Sequence, residues 1–236
     1  MTLRFAGFVV AGLFASSASA QEIDWRVTPY LWAAGIDGEI GLGNLRRDVD
    51  VDFSDLLDVL SGAALLHVEG EKDGHIVFGD LVWMDLQPHD EIATIGGVAH
   101  AEMSSTIIEA GYARDPGSSI GYEVGLRYWD FDIEIDPALA PGIVRGDSWT
   151  DVFGGIRNTR DLGSSWTMTT RANIGAGGAD LTWGVQLDFA RELERGNAFV
   201  AGFKLLDIDY EEDSVRGIPF VLDTTFFGVT LGFMFD

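Results

Sequence analysis

The chain has no cysteine, few basic residues and no long apolar run beyond its first twenty positions. Without cysteine there is neither a disulfide scaffold nor a cysteine-anchored lipoprotein. No later segment approaches the eighteen consecutive apolar residues of a membrane-spanning helix. Only 15 Lys and Arg stand against 38 Asp and Glu, giving a formal charge of −23. A surface that acidic repels nucleic acid, so no such partner is expected. No Gly-x-Ser-x-Gly elbow is present, and no cofactor is expected.

What is present begins with residues 1–20, which read as a secretory signal peptide. Arg4 supplies the charge, 5–14 the apolar core and Ala18-Ser19-Ala20 the cleavage site, so the mature chain is expected to start at Gln21. Losing Arg4 with that leader leaves −24 on residues 21–236, a length that suits one all-β domain. An exported chain that is 47% hydrophobic without a membrane helix is a soluble periplasmic protein or a membrane β-barrel.

The last sixteen residues favour the barrel. Val221, Thr225, Phe227, Val229, Leu231, Phe233 and Phe235 alternate with small or polar residues such as Thr224, Gly228, Thr230 and Gly232. Period-two alternation of that length describes a strand with one oily face. The same signal marks ten strands, near 25–36, 62–71, 75–87, 99–114, 119–133, 147–160, 165–176, 180–191, 197–210 and 221–235. Most exceed the ~9–11 residues that a tilted strand needs to cross a bilayer, against ~5–6 in soluble proteins. An eight-stranded barrel remains open if 62–71 and 75–87 form an accessory hairpin.

Connections alternate in length. Residues 71–74, 114–118, 161–164 and 192–196 are tight turns, whereas 37–61, 88–98, 134–146 and 211–220 are long; the Gly177-Gly178-Ala179 link is the exception. Outer-membrane barrels have short periplasmic turns and long external loops, and an even strand count returns both termini to the turn side. Charge follows the same division: residues 71–74, 114–119, 160–164 and 191–197 total −1, whereas 37–61, 85–97, 130–147, 177–180 and 207–220 total −17. All seven Trp lie near strand ends, as expected of aromatic girdles at two membrane–water boundaries.

The clearest strands have separable faces. Leu181, Trp183, Val185, Leu187 and Phe189 are expected to meet lipid, opposite Thr182, Gly184, Gln186 and Asp188. Trp166, Met168, Ala172 and Ile174 oppose Thr167, Thr169, Arg171 and Asn173; Ala64, Leu66 and Val68 oppose Leu65, His67 and Glu69. In the fifth strand the apolar set moves from Tyr122, Val124, Leu126 and Tyr128 to Trp129, Phe131, Ile133 and Ile135, which predicts a bulge or departure from the bilayer. Strands four and six alternate too poorly for assignment. Lys or Arg on a mid-bilayer lipid face costs roughly 2–4 kcal/mol, so Arg26, Arg127, Arg171 and Lys204 are expected inside. Their lumenal partners are His67, Glu69, Asp80, Glu123 and Asp188. Such a lumen is either cross-linked by ion pairs or a narrow selective channel.

The segments Trp25-Arg-Val-Thr-Pro-Tyr-Leu-Trp32, Gly35-Ile-Asp-Gly38 and Val51-Asp-Phe-Ser-Asp-Leu-Leu57 resemble a family of uncharacterised proteobacterial outer-membrane β-barrel proteins. These look broadly similar to OmpA/OmpX-like and small porin-like barrels. The resemblance covers about residues 25–60 and implies an outer-membrane barrel, with no activity or ligand to carry over. Such barrels usually end on an aromatic residue, whereas here Asp236 follows Phe235.

Three features bear on sites. Asp48, Asp50, Asp52 and Asp55 alternate like calcium ligands, but Phe53 and Val59 stand where the calcium loop needs Gly and Glu. The segment instead predicts a strand extension, then a Ser54-capped helix over 55–60 ending near Gly62, with Leu56, Leu57 and Leu60 as an apolar stripe that can cover the barrel mouth. An acidic rim of Asp130, Asp132, Glu134, Asp136, Asp207, Asp209, Glu211, Glu212 and Asp213 can share divalent cations with lipopolysaccharide phosphates, without a discrete metal site. His67 with Glu69, and His100 with Glu102 and Ser104, form the only acyl-transfer groupings, and no catalytic residue is assigned from them. The expected partners are outer-membrane lipid, lipopolysaccharide and the barrel assembly machinery. The leading reading is a structural or porin-like outer-membrane barrel; the alternatives are a lipid-modifying enzyme and a soluble periplasmic ligand-binding barrel.

Overall fold

The computed structural model describes residues 23–42, 45–87, 92–94, 97–137, 143–213 and 219–236. The expected leader, 1–20, lies outside them. Strands β1 (Asp24–Leu42), β2 (Leu45–Val51), β3 (Leu60–Lys72), β4 (His75–Leu86), β5 (Ile92–Thr94), β6 (Gly97–Arg114), β7 (Gly121–Pro137), β8 (Ile143–Gly163), β9 (Trp166–Gly177), β10 (Leu181–Glu192), β11 (Ala198–Asp213) and β12 (Pro219–Met234) follow in order. The helix α1 (Phe53–Val59) sits between β2 and β3.

All strands except β2 and β5 form one antiparallel ring, in which each pairs with its neighbours and β12 returns to β1. Closure runs from Tyr30↔Gly232 to Leu42↔Phe220, with a last bridge at Val27↔Phe235. The seam needs bare backbone at two places. Gly38 has φ +146°, a conformation that favours glycine, and a Cβ on Gly228 would collide with the Ala33 carbonyl. Strands β3 and β4 belong to the wall, because β3 pairs with β1 and β4 with β6. The eight-strand alternative is therefore excluded.

Three expectations need correction. Much of the supposed long loops is strand: β1 runs on to Leu42, β6 starts at Gly97 and β8 at Ile143. Turn residues and charge marked these stretches as loops, although the backbone pairing simply continues through them. The helix spans Phe53–Val59, not 55–60, and its cap position is Asp52, not Ser54. The Asp52 carbonyl accepts from the Asp55 and Leu56 N–H groups, so no Ser54 side-chain cap is made, and Leu60 already opens β3. The third correction concerns tryptophan. Trp32, Trp129 and Trp149 point into the barrel, at 6%, 0% and 6% exposure, while Trp25, Trp83, Trp166 and Trp183 face outward.

The reason lies in β7. Its register with β6 and β8 is unbroken from Gly121 to Ile135, so no bulge exists. Side-chain polarity inverts instead. Inward residues change from Glu123 and Arg127 to Trp129 and Phe131; outward ones change from Val124 and Leu126 to Asp130 and Asp132. β11 does the same, with Lys204 giving way inside to Leu206, Ile208 and Tyr210 while Phe203 gives way outside to Asp207 and Asp209. The barrel therefore has two storeys, one with an oily outside and a polar lumen, the other with an acidic outside and an oily core.

That core gathers Trp32, Trp129, Phe131, Trp149, Tyr210 and Phe226 with aliphatic residues from the surrounding strands. Trp149 stacks on Tyr210 with centroids 3.8 Å apart. Leu56 of α1 is buried in the same cluster, whereas Leu57 on the same helix is exposed. Only part of the expected apolar stripe thus covers the mouth. Large-to-small substitution in such a core costs the burial of the ring and the cavity left behind. Trp129→Ala should lower unfolding free energy by about 3–5 kcal/mol in urea titrations of the micelle-bound protein.

Candidate functional site: a bridged lumen above an open cavity

The period of two sends every second residue inward, and within the lower storey those residues are polar. They meet in a layer of ion pairs directly beneath the aromatic core. Arg127 Nε donates to Glu109 Oε1 at 2.7 Å, while its Nη atoms donate to Asn173 at 2.9 Å and Thr182 at 3.3 Å. Arg171 Nε donates to Glu123 Oε2 at 2.8 Å, and Asn173 Nδ2 donates to Glu123 Oε1 at 2.9 Å. The Arg127 and Arg171 guanidinium carbons lie 4.9 and 4.7 Å from the ring centres of Phe153 and Phe78.

A second chain of contacts crosses the opposite wall. Arg157 grips Glu69 with both Nη atoms, at 2.6 and 3.1 Å, and its Nε lies 3.7 Å from Asp115. His67 is held between Glu69 at 3.0 Å and Asp80 at 3.1 Å. Asp80 also accepts from Tyr30 at 2.8 Å and from Lys204 at 3.2 Å. Together the two groups draw on every wall strand except β12. Arg157 and Glu69 are 88 residues apart in sequence, and Lys204 and Asp80 are 124 apart. No local pattern could have paired them.

Of the residues expected in the lumen, Glu69, Asp80, Glu123, Arg127, Arg171 and Lys204 are buried inside, and His67 and Asp188 are half-buried there. Arg26 lies nearer the turn end, 3.1 Å from Glu71. Glu109, Arg157, Asp115 and Tyr30 were missed. Glu109 and Arg157 lie on the two strands whose alternation was unreadable. There Ile107 packs inward and Ile108 outward, because β6 passes from one storey to the next. The membrane cost of a mid-strand arginine was the available signal for Arg157.

Below the ion-pair layer the lumen opens into a cavity of about 680 Å³ at the end carrying the short turns and both described termini. Beside Arg127 and Lys204 lies a second, far smaller space of about 10 Å³. Side chains of the polar layer and of the aromatic core thus fill much of the interior among the described residues.

The acidic rim is placed less uniformly. Asp130, Asp132, Asp207, Asp209 and Glu211 sit on the outward parity of β7 and β11. The side chains of Glu134, Asp136, Glu212 and Asp213 lie outside the described residues. Around β1 the carboxylates form ladders that went unnoticed in the sequence. Asp48, Glu39, Asp223 and Asp209 are direct cross-strand neighbours, and Asp50 faces Asp37 in the next row. Asp209 stands beyond the oily belt. Burial, then the charges of Asp223, Asp180, Asp207 and Glu211, raise its pKa above the usual carboxylate value.

The acyl-transfer groupings gain nothing. His67 is committed to two carboxylates, Ser104 falls on the outward parity of β6 opposite Asp132, and the side chains of His100 and Glu102 lie outside the described residues. Among the described residues no cluster of three His, Asp or Glu could hold a metal ion.

No family model and no curated protein matches the chain. Similar solved structures include Ail, the attachment invasion locus protein of Yersinia pestis, crystallised with the heparin analogue sucrose octasulfate. It is 7% identical, with TM-score 0.45 over 91% of this chain and 100% of that one. The translocator domain of the autotransporter NalP from Neisseria meningitidis is 11% identical, with TM-score 0.43 over 88% of each chain. Likeness that loose says nothing about what this chain binds.

Two outcomes are expected. Glu123→Gln leaves Arg171 only its longer 3.7 Å contact with Glu109 and should cost about 3–5 kcal/mol in urea unfolding, with part recovered by adding Arg171→Met. Asp209→Asn should stabilise the barrel by about 0.2–1 kcal/mol at pH 7, since like charges directly opposite repel. With its folded pKa raised, Asp209 is destabilising above that pKa and ceases to be so as pH falls below the unfolded value. The gain should therefore vanish in melts run in acid.

Proposed function

We propose that the protein is an integral outer-membrane barrel whose lumen is closed, serving a structural or surface role and not passive conduction. One observation carries the reading. Around the lower storey the described outward side chains form a belt without Asp, Glu, Lys or Arg, from Trp25, Tyr112, Tyr122 and Trp166 at one edge to Trp83, Tyr128 and Trp183 at the other. Charge begins immediately beyond it, at Asp37, Asp85, Asp130 and Asp207. Phe227 and Phe235 bracket the belt on β12. Eight residues correspond to about 27 Å along the strand and about 20 Å once tilted, close to the ~25 Å apolar band of such barrels.

A soluble barrel exposing Leu31, Val124, Leu126, Val152, Val229 and Leu231 on all sides would aggregate. Hydrocarbon is the solvent that suits this surface. With the leader removed, the turn end lies in the periplasm and the acidic storey outside the cell. There its carboxylates meet lipopolysaccharide phosphates through divalent cations, and the final strand is what the assembly machinery reads. Closure of the lumen by the Arg127 and Arg171 pairs and by the aromatic core argues against passage of solutes, and the dispersal of Ser104 and His67 argues against lipid modification.

Planar-bilayer recording of the purified protein should show no unitary conductance, and the triple change Trp129→Ala, Phe131→Ala, Trp149→Ala should introduce steps. Steps in the unaltered protein would overturn the closed reading. Val229→Arg should cost about 2–4 kcal/mol in vesicle refolding, whereas extraction of the native protein by buffer alone would remove the membrane assignment.

A further inference from the structure

The outer wall is charged at both ends of its apolar belt, and the two ends differ in sign. Beyond one edge stand Asp37, Asp85, Asp130 and Asp207. At the turn end the outward positions of the strands carry bases instead: Lys72 on β3, His75 on β4, Arg114 on β6, Arg160 on β8 and Arg191 on β10. Four of these bases stand next in sequence to an acid, namely Glu71, Asp115, Asp161 and Glu192, and all four acids line the lumenal cavity. Successive residues of a strand face opposite ways, so the wall sorts the two signs onto its two faces. Summed along the chain these turn regions look neutral; on the outside they are basic.

The outward arginines lack the carboxylates that their inward counterparts have. Acids outnumber Lys and Arg by 38 to 15, and Arg26, Arg127, Arg157, Arg171 and Lys204 each pair with one. Among the described residues Arg114, Arg160 and Arg191 make no ion pair, and their contacts position them without neutralising them. Arg114 Nη1 donates to the Asp73 carbonyl at 2.6 Å and lies against the bare backbone of Gly74, where a Cβ would collide with it. Arg160 Nε donates to Asn158 Oδ1 at 2.8 Å. The Arg191 guanidinium carbon lies 5.7 Å from the ring centre of Trp166. Two of the three also sit at the aromatic edge of the belt. Arg191 is directly opposite Trp166, and Arg114 is opposite Tyr122 across the sheet, two residues or about 7 Å along its strand from Tyr112. Aromatic rings of that kind mark the depth at which lipid headgroups begin.

We infer that the turn end of the outer wall binds anionic glycerophospholipids, their phosphate headgroups on Arg114, Arg160 and Arg191 and their acyl chains on the belt beside them. The inference rests on the membrane reading above and adds which lipid meets which end of the barrel. A guanidinium with open donors matches phosphate oxygens, and a lipid phosphate supplies the counter-charge that no carboxylate supplies on this face. The basic positions run directly into apolar wall, so a single amphiphile satisfies both. A free anion would use the charge and leave Val77, Tyr122 and Trp166 exposed, at 47%, 54% and 36%. The inward acids do not compete for these arginines: they face the lumen, where Glu71 is held by Arg26 and Asp115 lies 3.7 Å from Arg157.

Native mass spectrometry of the full chain, released from nanodiscs of equal phosphatidylglycerol and phosphatidylcholine with matched acyl chains, tests this. Phosphatidylglycerol should be retained over phosphatidylcholine at least fivefold, roughly the preference that one interfacial arginine confers. The triple change Arg114→Gln, Arg160→Gln, Arg191→Gln should bring the ratio close to one, and each single change should lower it in part. Arg46→Gln, which removes a positive charge at the acidic end, should leave it unchanged. Heat-modifiable migration in SDS gels establishes that a variant is folded; should the triple variant not fold, the single changes decide. The inference is overturned by equal retention of the two lipids, by an unchanged ratio in the folded arginine variants, or by an equal loss in Arg46→Gln. Stronger retention of lipid A than of phosphatidylglycerol through the same arginines overturns the choice of lipid. A chain that does not insert into the nanodisc removes the membrane reading and this inference with it, whereas a chain that inserts without preference removes this inference alone.

Discussion

The seam between β1 and β12 is the constraint on which everything else rests. In the hydrocarbon proposed to surround this oily wall a sheet can tolerate no free edge, since each unpaired N–H or C=O there would cost several kcal/mol. Pairing Tyr30–Leu42 with Gly232–Phe220 removes both edges at once. It also sets the size of the ring, and a ring of about ten strands leaves an interior that side chains can fill. Gly38 and Gly228 are the local concessions that let the two backbones approach.

Once the ring is closed, its contents follow from what surrounds it. Where the outside is apolar, charged groups are confined to the lumen and must neutralise one another there. They do so as Arg127 with Glu109, Arg171 with Glu123, Arg157 with Glu69, and Lys204 with Asp80. Where the outside is acidic and wet, the same inward positions carry Trp129, Phe131, Ile208 and Phe226, and the interior becomes an ordinary hydrophobic core. One strand parity thus serves two kinds of outer surface, and the exchange occurs over one or two residue pairs on β7 and β11. Asp151 links the levels: it accepts from Trp129 Nε1 at 2.8 Å and from the Ala179 N–H at 2.9 Å, tying the short 177–179 link over the core.

Much of this was legible in advance. Alternation located all ten wall strands, and the length of β12 together with the cost of charge in lipid indicated which face was which. The misreadings share one cause. Trp32, Trp129 and Trp149 read as girdle residues because tryptophan near a strand end suits an interface, yet their parity is inward. The change on β7 was ambiguous because polarity inversion and a bulge leave the same trace in a sequence. Strand β6 could not be assigned because Ile107 and Ile108, on opposite faces, are both apolar, one packing in the core and the other exposed on the outer wall.

By itself the sequence determined what is local: where strands run, which residues alternate, and which charges cannot meet hydrocarbon. Those properties depend on a two-residue repeat and a transfer free energy, both readable within a few positions. Only the tertiary structure decided which charges pair, where aromatic side chains fill the interior and where a cavity is left. These depend on closing the ring, which brings Lys204 to Asp80 across 124 residues.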